Sequence, residues 1–189
     1  MTKQKLFIDM DATIVHSHKQ YCKVYNILYR DHSDFKPADY TKIKYYNMTC
    51  QCPLEKNPLN IFEHELFFAD LEFINHNTYE VLKELNEEYQ LIIATIGNHL
   101  NLAHKSLWIE RNLPFIKDYV LLNNDGCKMN KSLINMEGAI FIDDIVSNLD
   151  SSNARHKVLF GKKFDWNREW TIFDGYWCSD WSEVKRLLL

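Results

Sequence analysis

The sequence predicts an α/β fold in which a parallel sheet carries helices on both faces. The chain has 189 residues, of which 46% are hydrophobic, and this fits one globular domain with a sizeable core. Short apolar runs alternate with helical patterns along most of the chain, as in parallel sheets covered by helices. Several runs stop at Asp or Thr, and ligands in such sheets bind outside the carboxyl ends of the strands.

Five short apolar runs are predicted to be buried strands, because continuous apolar runs of this length are typical of parallel sheets. In chain order they cover residues 6–8, 91–94, 119–122, 139–142 and 157–160. An Asn-Asn-Asp-Gly turn signal follows the third run.

Helical patterns separate these runs. One helix has Tyr79, Leu82 and Leu85 on one face and follows Asn77-Thr78, its predicted N-cap. The other predicted helices cover 100–112, which Pro114 ends, 145–151, and 181–189, where Ser179 or Asp180 is the predicted cap.

The segment from residue 17 to residue 76 does not follow the alternation. It contains an aromatic helix around residues 21–29, an irregular stretch with three prolines, and a second helix around residues 61–68. We interpret it as a mostly helical cap inserted after the first strand, which leaves 1–16 and 77–189 as the core domain.

Composition excludes several classes of protein. The net charge is −4 and no basic run is present, which disfavours a nucleic-acid polymer as partner. No apolar stretch has the length of a signal peptide or a membrane helix. The five cysteines, an odd number, do not suggest a disulfide framework. We therefore expect a cytoplasmic protein, and a homodimer remains possible.

The acidic residues at the strand ends are suited to phosphoryl transfer. Asp9 and Asp11 lie two residues apart just past the first strand, so their side chains point the same way. Asp9 can attack phosphorus to form an aspartyl-phosphate, while Asp11 protonates the leaving oxygen and later activates water. Asp143 and Asp144 end a neighbouring strand and add carboxylates for a cation, for which Mg²⁺ is suited. Asp144 is also expected to cap the helix that follows.

Phosphate binding is predicted for Thr95, Ile96 and Lys131. The hydroxyl of Thr95 and the backbone N–H of Ile96 can hold a phosphoryl oxygen, and Lys131 offers a point charge. Lys128 lies close to Lys131, but we prefer Lys131 because it starts a predicted helix that leads into the acidic strand.

These motifs in this order resemble the haloacid dehalogenase (HAD) superfamily, whose core is a three-layer α/β/α Rossmann-like fold. The resemblance rests on Asp9-x-Asp11-x-Thr13, Thr95, Lys131 and Asp143-Asp144. It implies that Mg²⁺ is bound by Asp9, Asp143, Asp144 and the backbone carbonyl of Asp11. One departure is Ala12, where the family commonly has glycine; alanine is tolerable there if its φ is negative.

A narrower resemblance, to the 5′(3′)-deoxyribonucleotidase family, covers most of the chain. It rests on residues 67–72, on residues 105–108 and on the C-terminal helix that contains Trp181. It implies hydrolysis of nucleoside 5′-monophosphates, with deoxyribonucleotides favoured and Mg²⁺ as cofactor. The usual Pro-Gly is replaced by Phe73-Ile74-Asn75-His76, which leaves base and sugar preference open.

For several residues the sequence supports two interpretations. Phe67, Phe68, Tyr21 and Tyr25 can stack on a nucleobase or pack inside the cap. Asn98 can contact the ligand, although a helix N-cap is its commoner use. For the whole protein, the alternatives are a phosphatase for another small phosphomonoester and a non-catalytic nucleotide-binding module.

Overall fold

A parallel sheet forms the centre of the computed structural model, which describes residues 2–44, 46–125, 130–165, 167, 171 and 173–189. Within these ranges the sheet has six strands in the order β3-β2-β1-β4-β5-β6, and every neighbouring pair is parallel. The strands are β1 Gln4–Ile8, β2 Tyr89–Gly97, β3 Asp118–Asn123, β4 Ile140–Asp143, β5 His156–Phe160 and β6 Tyr176–Cys178. All five predicted strands are confirmed. The short edge strand β6 was not predicted.

Outside the segment 17–76, α-helices precede β2 and follow β2, β4 and β6 among the described residues. The helices are α1 Ser17–Tyr29, α2 Leu59–Phe62, α3 Glu65–Ala69, α4 Thr78–Glu88, α5 His99–Asn112, α6 Val146–Ser151 and α7 Trp181–Leu188. Three-residue 3₁₀ turns form at Tyr40–Lys42, Met48–Cys50 and Lys131–Leu133. Over the described ranges, every helix is too short or too polar to cross a lipid bilayer.

The sheet is buried on both faces, as the three-layer prediction requires. Leu6 and Ile8 of β1 point into an apolar cluster that also contains residues of α4, α5 and α7. Phe7, between them, points to the opposite face and packs with residues of α6. Successive strand residues face opposite sides, so a central strand covered on both sides reads as a continuous apolar run.

Helices α1 to α3 lie in the chain between β1 and α4. The chain enters and leaves this segment side by side, because His16 N donates to Glu72 O at 2.9 Å and Ile74 N donates to Ile14 O at 2.9 Å. This pairing agrees with an insertion that begins and ends next to the first strand. The exact division at residues 17–76 remains a prediction.

Two of the predicted helix caps are confirmed. Asn98 accepts a hydrogen bond from Asn101 N at the start of α5, and Asp180 accepts one from Glu183 N at the start of α7. Asn77 occupies the N-cap position of α4 without making a side-chain cap bond. Its amide instead donates to Ser182 Oγ at 2.9 Å and links α4 to α7.

The backbone at Ala12 differs from the expectation. Its φ is +54°, in the left-handed region, whereas the sequence argument made alanine tolerable through a negative φ. The Cβ of an L-residue approaches the following carbonyl oxygen in this region, which costs about 1–2 kcal/mol. The chain therefore carries strain where the related motif commonly has glycine.

Ala12→Gly tests this strain. We expect the free energy of unfolding to stay equal or to rise by up to about 1 kcal/mol, because relief of the strain offsets the lost methyl and the extra chain entropy of glycine. The matched control is Ala103→Gly on the exposed face of α5, which should lose about 1 kcal/mol. Urea unfolding of both variants measures the contrast. Equal losses at the two positions would contradict strain at Ala12.

Candidate active site

The carboxyl edge of the sheet opens into a cavity of about 1150 Å³. Asp9 follows β1, Thr95 lies near the end of β2, and Asp144 follows β4, and all three line this cavity. Asp9 N donates to Ile142 O at 2.9 Å, so the pairing of β1 with β4 continues up to the first acidic residue. Parallel pairing therefore brings residues distant in sequence to one edge, as the sequence predicted.

Lys131 lies between two of the carboxylates. Its Nζ donates to Asp9 Oδ1 and, at 2.5 Å, to Asp143 Oδ2. The Lys131 side chain is only 1% exposed. Burial opposes its charged form, but Asp143 and Asp9 outweigh burial and raise the pKa of Lys131 above its ordinary value. Lys128, the alternative in the sequence, lies outside the described residues.

The acidic groups carry more negative charge than this one ammonium compensates. Burial raises the pKa of Asp9 to about 7; Lys131 opposes the rise, while Asp143 and Asp11 add to it. The pKa of Asp144 is also raised well above its ordinary value, first by burial and then by Asp143 and Asp9. A cation bound here would favour the ionised forms of both carboxylates.

The donor set fits a hard divalent cation. Asp9, Asp143 and Asp144 each offer a carboxylate oxygen, and these oxygens lie within 4.8 Å of one another. Mg²⁺ prefers such oxygen ligands and keeps several waters. The Asp11 side chain is not part of this cluster, and the prediction for that residue concerns its backbone carbonyl.

Asp143 and Asp144 differ in their surroundings. Asp143 is completely buried, and its oxygens accept hydrogen bonds from Ile145 N, Asn148 Nδ2 and Lys131 Nζ. The bond from Ile145 N makes Asp143, not Asp144 as predicted, the residue that receives the backbone N–H before α6. Asp144 faces the cavity instead.

Sequence reasoning missed a contribution of Lys105 to the site. This residue of α5 is 1% exposed, and its Nζ donates to Asp11 Oδ2 at 2.5 Å and to Thr95 Oγ1 at 2.8 Å. A third bond runs to Ile96 O at 2.9 Å. One signal was available: Lys105 lies on the buried stripe of α5, in register with Leu102 and Ile109, where a lysine needs a buried partner.

Phe67 and Phe68 are not among the described residues that line the cavity, which favours packing over stacking on a nucleobase. Phe67 is completely buried and packs against Phe62 and Phe68, and Phe68 stacks on His104 with 5.1 Å between ring centroids. These rings hold the helical segment together. The residues that form the apolar wall of the cavity are Tyr46, Met48, Pro58, Leu59 and Phe62.

Tyr21 and Tyr25 are completely buried and belong to the apolar cluster, which favours packing. Asn98 lines the cavity while capping α5, and its Nδ2 donates to Glu63 Oε1. Asn98 thus links the end of α2 to the edge of the sheet.

Comparison with known proteins decides the family. A model of the family described as "5′ nucleotidase, deoxy (Pyrimidine), cytosolic type C protein" matches residues 3–189. The chain belongs to this nucleotidase family. A curated relative, a 5′(3′)-deoxyribonucleotidase of Clostridium acetobutylicum, is 27% identical over 190 residues, covering 99% of this chain and 96% of the relative.

Solved structures confirm the HAD-like fold. A phosphatase structure from Clostridium difficile superposes with a TM-score of 0.70 at 12% identity, over 100% of both chains. A HAD hydrolase of Bacillus subtilis, solved with magnesium bound, has a TM-score of 0.67 at 11% identity and covers 100% of this chain and 99% of its own. The resemblance to HAD phosphatases of the deoxyribonucleotidase type is thereby confirmed.

Proposed function

We propose that this nucleotidase-family chain is a Mg²⁺-dependent phosphatase that hydrolyses nucleoside 5′-monophosphates, with deoxyribonucleotides favoured, through an aspartyl-phosphate on Asp9. One observation carries the proposal. A nucleophile candidate, an acid candidate, a hydroxyl and two ammonium groups surround one cavity at the carboxyl edge of the sheet. The family description includes the word cytosolic, which supports a cytosolic site of action.

In the first step, a carboxylate oxygen of Asp9 attacks phosphorus as the bond to the leaving oxygen breaks. Asp11 donates its proton to that oxygen, which avoids expelling an alkoxide. The Thr95 hydroxyl and the backbone N–H of Ile96 bind phosphoryl oxygens. Lys131, already bonded to Asp9, supplies positive charge beside the same oxygens.

In the second step, a water molecule gives a proton to Asp11 and attacks the phosphoryl group. The bond from phosphorus to Asp9 breaks, which releases inorganic phosphate and restores the carboxylate. Asp11 thus serves first as acid and then as base, as a two-step transfer through a covalent intermediate requires.

Asp9, Asp143 and Asp144, together with the backbone carbonyl of Asp11, would hold Mg²⁺. When bound, it would supply the positive charge that lets an anionic carboxylate approach an anionic phosphate. Asp143 also positions Lys131, whose Nζ donates to its Oδ2 at 2.5 Å.

The cavity lining supports a nucleoside as leaving group. Its apolar wall can hold a flat base, and asparagine side chains supply amide donors and acceptors at positions 47, 101, 124, 130 and 167. Both lysines among the described lining residues already contact carboxylates, and that lining contains no arginine. A leaving group with its own negative charge, such as glycolate, therefore finds no free cation in the described part of the site.

A substrate panel tests the proposal. Phosphate release is measured with Mg²⁺ for the common ribo- and deoxyribonucleoside 5′-monophosphates, their 3′-isomers, glucose 6-phosphate and phosphoglycolate. We expect kcat/KM for the best deoxyribonucleoside 5′-monophosphate to exceed that for phosphoglycolate by at least about 100-fold, because a buried polar site rejects a charge that it cannot pair.

EDTA is the control for the cofactor, and it should abolish release from every substrate. Full activity without a divalent metal would contradict the site. A preference for a sugar phosphate would favour the alternative small-metabolite phosphatase. Tight nucleotide binding with no phosphate release would favour a binding module, although the acid at Asp11 has no use in such a module.

A further inference from the structure

Lys105 connects two strand ends of the site through a single buried atom. Its Nζ donates to Asp11 Oδ2, to Thr95 Oγ1 and to Ile96 O, at 2.5, 2.8 and 2.9 Å. An ammonium has three N–H donors, so all of them are used. The side chain is held in one orientation and has no donor left for a substrate. Its effect on chemistry must therefore pass through the groups that it holds.

The two carboxylate oxygens of Asp11 are not equivalent. Oδ2 accepts the bond from Lys105, whereas Oδ1 is buried and has no hydrogen-bond partner among the described residues. A proton on this carboxyl group cannot lie on the side of Oδ2 that faces an N–H donor. Lys105 therefore restricts where the proton of Asp11 can lie and fixes the orientation of the carboxyl group.

The same contact orients Thr95. Its hydroxyl oxygen accepts from Lys105, so the hydroxyl hydrogen is free to point elsewhere. Thr95 lines the cavity, where a phosphoryl oxygen would lie. One ammonium thus directs both a donor to the phosphoryl group and the acid for the leaving group.

We propose that Lys105 is a positioning residue for acid–base catalysis by Asp11, an inference that rests on the proposed function. As the phosphorus bond to Asp9 forms and the bond to the leaving oxygen breaks, the proton on the Asp11 carboxyl group passes to that oxygen. The new carboxylate keeps its bond from Lys105 through Oδ2. In the second half, a proton of the attacking water returns to the Asp11 carboxyl group as the phosphorus bond to Asp9 breaks. Lys105 keeps its own protons throughout.

The test compares two leaving groups. p-Nitrophenolate leaves with little need of a proton, whereas the 5′-oxygen of a nucleoside requires one. The parameter kcat/KM covers the steps through formation of the aspartyl-phosphate, so it isolates the acid role. For Lys105→Met we expect a loss of at least about 100-fold with the best nucleoside monophosphate and below about 10-fold with p-nitrophenyl phosphate.

Four further variants complete the test. Asp11→Asn should show the same leaving-group contrast, and the double variant should lose no more than Asp11→Asn alone, since both changes remove one function. Lys83→Met, on the exposed face of α4, should match the wild type with both substrates. Lys105→Arg keeps the charge but not the geometry of three bonds from one atom, so it should show the contrast in weaker form.

Equal losses of Lys105→Met on the two substrates would overturn the proposal, as would no loss on either. If Asp11→Asn shows the contrast and Lys105→Met does not, only the role of Lys105 fails. If Asp11→Asn shows no contrast, the acid role of Asp11 fails and the role of Lys105 fails with it. Circular dichroism and thermal melting check the fold; should Lys105→Met not fold, Lys105→Arg decides by the same ratio.

Discussion

Asp9→Asn should abolish turnover while leaving the protein as stable as the wild type. The amide keeps the shape of the side chain but is a poor nucleophile, so no aspartyl-phosphate can form. We expect kcat to fall by at least about 10⁴-fold, or roughly 5 kcal/mol of barrier. Stability should not fall, because burial raises the pKa of Asp9 to about 7, which means that its charged form is costly in the folded state.

The measurement is phosphate release from p-nitrophenyl phosphate and from the best nucleotide, with thermal melting in parallel. Asp150→Asn, at an exposed position at the end of α6, is the matched control and should retain full activity. Wild-type activity in Asp9→Asn would show that Asp9 is not the nucleophile. A loss of activity together with a lower melting temperature would instead indicate damage to the fold.

The residues of the site could be predicted because their positions depend on local signals. Each strand appears as a short apolar run, and Asp9, Thr95 and Asp143 mark where three of the runs end. The carboxyl ends of parallel strands share one edge of the sheet. Residues at these ends can therefore be predicted to lie close together without knowledge of side-chain packing. Lys131 was predicted from its place before the acidic strand, and its bonds to Asp9 and Asp143 fit that position.

The features that sequence reasoning missed depend on tertiary contacts. The place of Lys105 depends on how α5 packs on the sheet, which sets the partner that its ammonium reaches. Phe62 lines the cavity whereas Phe67 packs against Phe62 from within the helical segment, and no periodic pattern in the sequence distinguishes the two positions. The φ of Ala12 depends on the turn that follows the strand, and the residue type argued for the opposite sign.

Strand β6 was missed for a simpler reason. It spans three residues, Tyr176–Cys178, of which only the last is buried. A strand at the edge of a sheet needs no continuous apolar run, so its sequence carries little signal. In the folded protein this strand pairs in parallel with β5.

Lys131→Met should lower stability and remove activity together, unlike Asp9→Asn. Its Nζ is the cation between Asp9 and Asp143, and the side chains of all three are at most 9% exposed. Removing one partner of a buried ion pair leaves uncompensated charge, which typically costs about 3–5 kcal/mol. Activity should fall because the phosphoryl oxygens lose a positive charge.

The pH dependence of stability separates this explanation from a packing defect. Without the ammonium, the pKa of Asp9 in the folded state should rise further above its value in the unfolded chain. The folded state then binds more protons than the unfolded state, so stability falls as pH increases. Urea unfolding in EDTA should therefore show a larger loss at about pH 8 than at about pH 6. The double variant Lys131→Met/Asp143→Asn removes one of the stranded charges and should recover part of the loss at the higher pH. A loss independent of pH and unchanged in the double variant would mean that Lys131 stabilises the fold through its methylene chain, and that the charge balance at this edge of the sheet rests on other groups.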